Sequence, residues 1–192
     1  MGQRAVLIDD LDDPAAWSVA LRARRLPGVI DVVPAARTVL VTCDSSSSLG
    51  ALDLDDVTGA AFPLDTVTTV EIPVMYDGPD LDHVARRTGL SITDLIEIHS
   101  RTTYEVAFCG FAPGFAYLRG LADVLHLPRR QTPRTSVPAG SVAIAAEYSA
   151  VYPRSSPGGW HLLGTTDVTL FDPALQDPAL LKPGNRVRFV PR

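Results

Sequence analysis

The sequence predicts an α+β protein in two parts, a small α/β unit over residues 1–70 and a β-rich unit over residues 71–192. Three observations carry this reading. The first third alternates strand-length apolar runs with one strongly helical stretch. From residue 104 onward, short strand-like runs recur between Gly and Pro. Charge also divides unevenly: residues 1–70 hold 10 acids and 5 bases, while residues 71–192 hold 12 of each, so the net charge of -5 belongs to the first unit.

In the first unit "RAVLI" (4–8) reads as a strand. "DPAAWSVALRARRL" follows as a helix, with Asp13 placed to cap it, Pro14 at its first position and Gly28 expected to stop it. "VIDVV" (29–33) and "RTVLVTC" (37–43) are two further strands across a proline-containing turn, and "DSSSSLG" (44–50) reads as a polar break. Strand, helix, strand, strand is most of a ferredoxin-like split βαβ unit, whose second helix is then sought in "LGALDLDDV" (49–57).

In the second unit "TVTTVEIPVMYDG" (66–78) is β-rich. Asp80 is placed to cap the helix "LDHVARRT" before Gly89, and Ser91 opens a second helix with an acid at the capping-box position. Ile92, Leu95, Ile96 and His99 fall at i, i+3, i+4 and i+7, which puts them on one face of that helix. "YEVAFC" (104–109), "GSVAIAA" (140–146), "WHLLG" (160–164), "DVTLF" (167–171) and "RVRFV" (186–190) then predict an antiparallel barrel or sandwich.

Composition excludes some classes. An acidic balance argues against nucleic-acid binding, and no apolar run reaches the ~20 residues of a membrane span. The four histidines show no metal-ligand spacing, so no metal is expected. Cys43 and Cys109 end strand-like runs, where buried reduced thiols are expected. A cytoplasmic protein is the resulting expectation.

Chemistry is expected in the loops. "LPRRQTPRTSVPAG" (127–140) sets Arg129, Arg130 and Arg134 among three prolines, and "YPRSSPGGW" (152–160) adds Arg154, two serines and a Gly-Gly pair. Guanidiniums on a loop stiffened by proline suit an anionic ligand. Gly158 and Gly159 either form a turn or let backbone N–H groups approach an anion, with Ser155 and Ser156 as further donors. Trp160 reads as core, and His99 either packs on its helix face or enters a site beside "GFAPGFAYL" (110–118). That apolar segment, interrupted by Gly110, Pro113 and Gly114, reads as a structured, half-buried loop with Phe111, Phe115 and Tyr117 supplying apolar area.

The motifs "DLIEIHS" (94–100), "GFAPGFAYL", "PR-x₃-PR-x-x-VPAGSVAIA" (128–145), "YP-x-x-SPGGWHLLG" (152–164) and "PG-x-RVRFVP" (183–191), in this order, resemble one family. It is the family of the 5-oxoprolinase B subunit, also known under the names allophanate hydrolase subunit 1 and KipI. The resemblance implies a ferredoxin-like domain (1–70) followed by a cyclophilin-like antiparallel β-barrel (71–192). It implies a larger partner, the C subunit (allophanate hydrolase subunit 2 type), together with an A subunit, in an ATP-dependent complex that opens 5-oxo-L-proline to L-glutamate. A regulatory module docking on a histidine kinase, as KipI does, is the alternative it also opens.

On this basis His99, Arg134 and Ser156 are the candidate catalytic residues, in stabilising roles. Phe111, Pro113, Phe115, Gly158, Gly159 and Trp160 are the candidate substrate-binding residues. ATP is expected as co-substrate of the complex, but no ATP site is legible in the chain, so its place is left open, with a partner subunit as one location. One departure stands out: "AEYS" (146–149) occupies a place where the family carries "GGQT".

Overall fold

Two stretches of the chain, residues 3–52 and 68–192, are described by the computed structural model. It divides into a unit of residues Met1–Val67 and a unit of residues Thr68–Arg192.

The first unit builds β1 (Ala5–Ile8), α1 (Pro14–Ala23), β2 (Val29–Pro34), β3 (Val39–Cys43) and α2 (Ser46–Gly50). The sheet order is β1-β3-β2, with β3 antiparallel to both neighbours (Val6↔Val41, Val32↔Val41). β1 and β2 are thus parallel around an inserted strand, which is the split βαβ arrangement. Asp13 caps α1 by accepting the Ala16 N–H at 3.0 Å. Ala20 and Leu21 of this helix pack on Val32, Val39 and Val41.

Two local expectations fail here. α1 ends at Ala23, well before Gly28. Gly28 instead serves the turn into β2: its φ is +76°, and a Cβ there would lie 2.3 Å from Ser48 Oγ. The serine run is no simple break either, because the Ser45 hydroxyl accepts the Ser48 N–H and starts α2. Of the segment proposed for the second helix (49–57), residues 53–57 lie outside the described residues.

In the second unit β4 (Thr69–Val74) leads to α3 (Leu81–Thr88) and α4 (Ile92–Arg101). Then come β5 (Thr103–Cys109), β6 (Ala116–Arg119), a 3-10 turn, β7 (Arg134–Val137), β8 (Ser141–Ala145), β9 (Tyr148–Val151), β10 (Ser156–Gly158), β11 (His161–Thr165) and β12 (Arg186–Pro191). Seven strands form one sheet in the order β11-β8-β9-β6-β5-β12-β4. A bridge between Met75 and Thr165 joins the two ends of this series, so the sheet is a nearly closed barrel. Most pairs are antiparallel, as expected, but β4 and β12 run parallel (Arg186↔Thr69).

Strand period explains where the core lies. In β5, Tyr104 and Val106 point inward, with Ile72, Leu118, Leu163 and Phe189. β8 is buried on both faces: Val142 and Ile144 join this barrel core, while Ala143 and Ala145 join a second, aromatic core with Phe115, Tyr152 and Trp160. Small residues face the second core because rings already fill it.

The strand expected at 167–171 does not form. Phe171 makes one bridge, to Ala179, and residues 166–170 carry no strand. The reason is topological: the Met75–Thr165 contact uses the free edge of β11, so the chain beyond it has no neighbouring strand to pair with. Leu170 and Leu181 are buried from loops instead.

Candidate functional site

Asp80 organises the site. Gly78 lies so close to β11 that a Cβ would sit 2.3 Å from the Leu162 carbonyl oxygen. The Asp80 backbone N–H donates to that same carbonyl. This seats the Asp80 side chain beneath two loop arginines, at 3% exposure. The expected cap does not form, for the carboxylate makes no bond to the first turn of α3. It accepts instead from Arg130 Nη1 at 2.7 Å, from Arg134 Nη1 and Nη2 at 2.9 and 2.8 Å, and from the Leu162 N–H at 2.8 Å. Burial pushes the carboxyl up, but the Arg134 and Leu162 hydrogen bonds and the two guanidinium charges outweigh it and hold Asp80 below its ordinary value. One carboxylate against two guanidiniums leaves this trio with a surplus positive charge.

A cleft of about 400 Å³ opens beside the trio, between α3, residues 127–132 and β11. His83 and Arg87 enter it from one face of α3, at i and i+4. Arg129 and Arg130 enter from the loop, and His161 from β11. The rings of His83 and His161 stack at 5.5 Å. His161 Nε2 donates to the Pro128 carbonyl at 2.9 Å, while burial lowers the imidazole's pKa and favours the neutral ring. His161 Nδ1 and Arg130 Nε are buried without a hydrogen-bond partner among the described residues.

The aromatic core lies behind the β7–β10 pair. Phe115 meets Trp160 edge-on at 5.6 Å and Tyr152 at 5.3 Å. Gly158, paired with Arg134, leaves room for the Tyr152 hydroxyl, since a Cβ would lie 2.3 Å from it. Gly159 has no such constraint, and its carbonyl accepts the Arg130 N–H at 2.8 Å. The Ser156 hydroxyl is buried and, among the described residues, unpartnered. At the tip of the "GFAPGF" loop, Phe111 is 62% exposed with φ +66°, and Pro113 is also exposed. Gly114, at φ +79°, fits closely on Phe171.

The structure thus brings Arg134, Ser156, Phe111, Phe115, Gly158, Gly159 and Trp160 to one neighbourhood, around β7, β10 and the aromatic core. His99 stands in the other core. Its Nδ1 is 2.8 Å from the Tyr76 hydroxyl, its Nε2 is 3.0 Å from Ser149 Oγ, and its ring stacks on Phe189 at 4.7 Å. The chain of bonds closes with a neutral imidazole: Tyr76 donates to Nδ1, Nε2–H donates to Ser149, and Ser149 donates to the Ala143 carbonyl. Burial lowers the His99 pKa to about 3. Sequence reasoning missed Asp80 as a hub and His83, Arg87 and His161 as cleft residues. The i, i+4 spacing of His83 and Arg87 was the available signal.

Among the described residues, no cluster of three or more His, Cys, Asp or Glu is arranged for a metal. No described helix is long and apolar enough to cross a membrane. The two cysteines are free, Cys43 buried and Cys109 half-buried.

The barrel with its appended split βαβ unit is a carboxyltransferase-type architecture, and comparison with known proteins agrees. The family described as carboxyltransferase domain, subdomain C and D, matches residues 2–181. A protein of Escherichia coli O157:H7, named as the B subunit of 5-oxoprolinase, is 42% identical over 207 residues, covering 100% of this chain and 94% of that protein. The crystal structure of TTHA0988 superposes with a TM-score of 0.83 at 37% identity, covering 98% of this chain but only 40% of that longer one. Urea carboxylase of Kluyveromyces lactis shares the fold, with a TM-score of 0.68 at 18% identity over 98% of this chain and 21% of its own. The chain belongs to the carboxyltransferase C and D family that includes the 5-oxoprolinase B subunit.

Proposed function

We propose that this chain is one component of an ATP-dependent lactam hydrolase, 5-oxoprolinase, working in the cytoplasm with a larger C subunit and an A subunit. The observation that carries this reading is the 42% identity, along the whole chain, to a protein named as the B subunit of 5-oxoprolinase. Hydrolysis of an unstrained lactam needs an activated carbonyl. Transfer of the ATP γ-phosphoryl group to the lactam oxygen releases ADP and makes the carbon electrophilic. Water then adds, the C–N bond breaks toward the amine, and a second water releases phosphate and leaves L-glutamate.

Such a route needs positive charge and oriented donors, and the cationic cleft supplies the first. The one hydroxyl–imidazole chain described above, Tyr76, His99 and Ser149, is shut in the barrel core with His99 and Ser149 fully buried, which supports a chain inactive alone, and the ATP site is taken to lie on a partner. Within this reading Arg134 is a positioning residue, acting through Asp80 on Arg130. Phe115, Trp160 and Gly158 hold the β7–β10 pair in place. Ser156 offers a buried hydroxyl donor from β10, and Gly159, just past the end of that strand, fixes the arginine loop through its bond from the Arg130 N–H. Phe111 and Pro113 face substrate or partner from the loop tip, while His99 holds the barrel. The kinase-inhibitor alternative is not favoured, as the relatives carry the hydrolase's name.

Complementation tests the proposal. A bacterial host lacking its own 5-oxoprolinase genes is expected to grow on 5-oxo-L-proline as nitrogen source only when this chain is expressed together with the A and C subunits. Equal growth with this chain omitted would contradict it.

A further inference from the structure

We propose that the cleft between α3, residues 127–132 and β11 is an oxyanion site, taking the carboxylate or phosphate group of a small molecule. The choice of ligands below rests on the lactam-hydrolase reading, but the site itself rests on the geometry. Three arginines and two histidines converge on a concavity of about 400 Å³, and no described carboxylate lines it. That volume lies within the range usual for small-molecule sites. The carboxylate nearest in the network, Asp80, is saturated by Arg130, Arg134 and the Leu162 N–H, so it cannot neutralise the remaining guanidiniums. Arg87 and Arg129 have no carboxylate partner among the described residues.

Solvated surface arginines are common, but this wall differs from an open surface. It is concave and backed by a buried histidine. Arg130 Nε behind this wall is a buried donor without a partner among the described residues. Guanidiniums present planar donor pairs that match carboxylate and phosphate oxygens. Leu127 and Pro128 supply the apolar contact that a small ring would use.

The test is calorimetric titration of the full chain with inorganic phosphate, 5-oxo-L-proline, L-glutamate and 2-pyrrolidinone, the last being the lactam without its carboxylate. Variants are Arg87→Ala, Arg129→Ala and, as a control of equal charge on the same helix but outside the cleft, Arg86→Ala. All three positions are exposed, and unchanged melting temperatures confirm folding. The expected result is saturable binding of an oxyanion, weakened roughly tenfold or more by each cleft variant, the scale of one charged hydrogen bond, and within error unaffected by Arg86→Ala. Phosphate alone binding identifies a phosphoryl site, and 5-oxo-L-proline or L-glutamate binding without phosphate identifies a carboxylate site. Three outcomes overturn the proposal: no saturable binding of any oxyanion, equal weakening by Arg86→Ala, or binding of 2-pyrrolidinone as tight as that of 5-oxo-L-proline. Oxyanion binding with failed complementation would keep the site and sink the lactam reading. Complementation without oxyanion binding would do the reverse.

Discussion

Arg134 grips the Asp80 carboxylate at both oxygens, at 2.8 and 2.9 Å, across 54 residues of chain. The same carboxylate holds Arg130 at the edge of the cationic cleft. An acid placed by sequence to start a helix is therefore the link between that helix, the arginine loop and β11.

Asp80→Asn removes the charge that separates two guanidiniums. The expected loss of stability is about 3 kcal/mol, the lower end for breaking a buried pair, because both arginines keep part of their surface in water. The pH dependence follows from the lowered carboxyl pKa. The pair's contribution is complete above the unfolded value of about 3.9 and is lost as pH falls through the lower folded value. Urea midpoints from about pH 2.5 to 7 check this: wild type is expected to converge on Asp80→Asn at acid pH, and a constant gap between them would contradict the pairing.

His99 gives a second pH signature, at a different place. Its folded pKa of about 3 lies below the unfolded imidazole's, so the unfolded chain takes up a proton that the folded chain refuses. Stability is then complete above about 6.5 and falls by up to about 1.4 kcal/mol per pH unit below it. The difference in urea midpoint between wild type and His99→Gln is expected to shrink as pH falls from about 7 to 4.5. A pH-independent difference would show that the ring titrates freely.

The adjacent glycines separate by packing. Gly158→Ala is expected to lose on the order of 1–3 kcal/mol, because its methyl group would overlap the Tyr152 hydroxyl. Gly159→Ala, whose nearest neighbours stand at 3.6 Å or beyond, is expected to change stability by less than about 1 kcal/mol. Thermal melts of the two variants decide this, and equal destabilisation would contradict the account.

Ala146 holds φ at +50° in the turn between β8 and β9, where L side chains are strained. Ala146→Gly is expected to raise stability by up to about 1 kcal/mol. The positive φ of Ala146 is thus a local strain, and an unchanged or lowered melting temperature would contradict this.

Elements with a clean period were legible in the sequence, and relations between distant residues were not. α1 announces itself through Asp13 and Pro14, and α4 through Ser91 and the Leu95–His99 face. β5 does so through alternation of Tyr104, Val106 and Phe108. The segment 167–171 has the same strand-like composition but no edge to join, which only the closure of the barrel at Thr165 reveals. Asp80 reads as a cap because local pattern cannot see arginines so far along the chain. For the site, the arginine loop was visible as a charge excess among prolines. The stacked His83–His161 pair was invisible, since spacing along the chain carries no trace of a contact between α3 and β11.

As the component of a lactam-opening enzyme proposed above, this chain is expected to be required for turnover and inactive by itself. The direct measurement is L-glutamate and ADP formed from 5-oxo-L-proline and ATP by the purified A and C subunits, with and without this chain, and by this chain alone. Equal amounts of both products are expected only when all three are present. Undiminished turnover without this chain, or robust turnover by this chain alone, would contradict it.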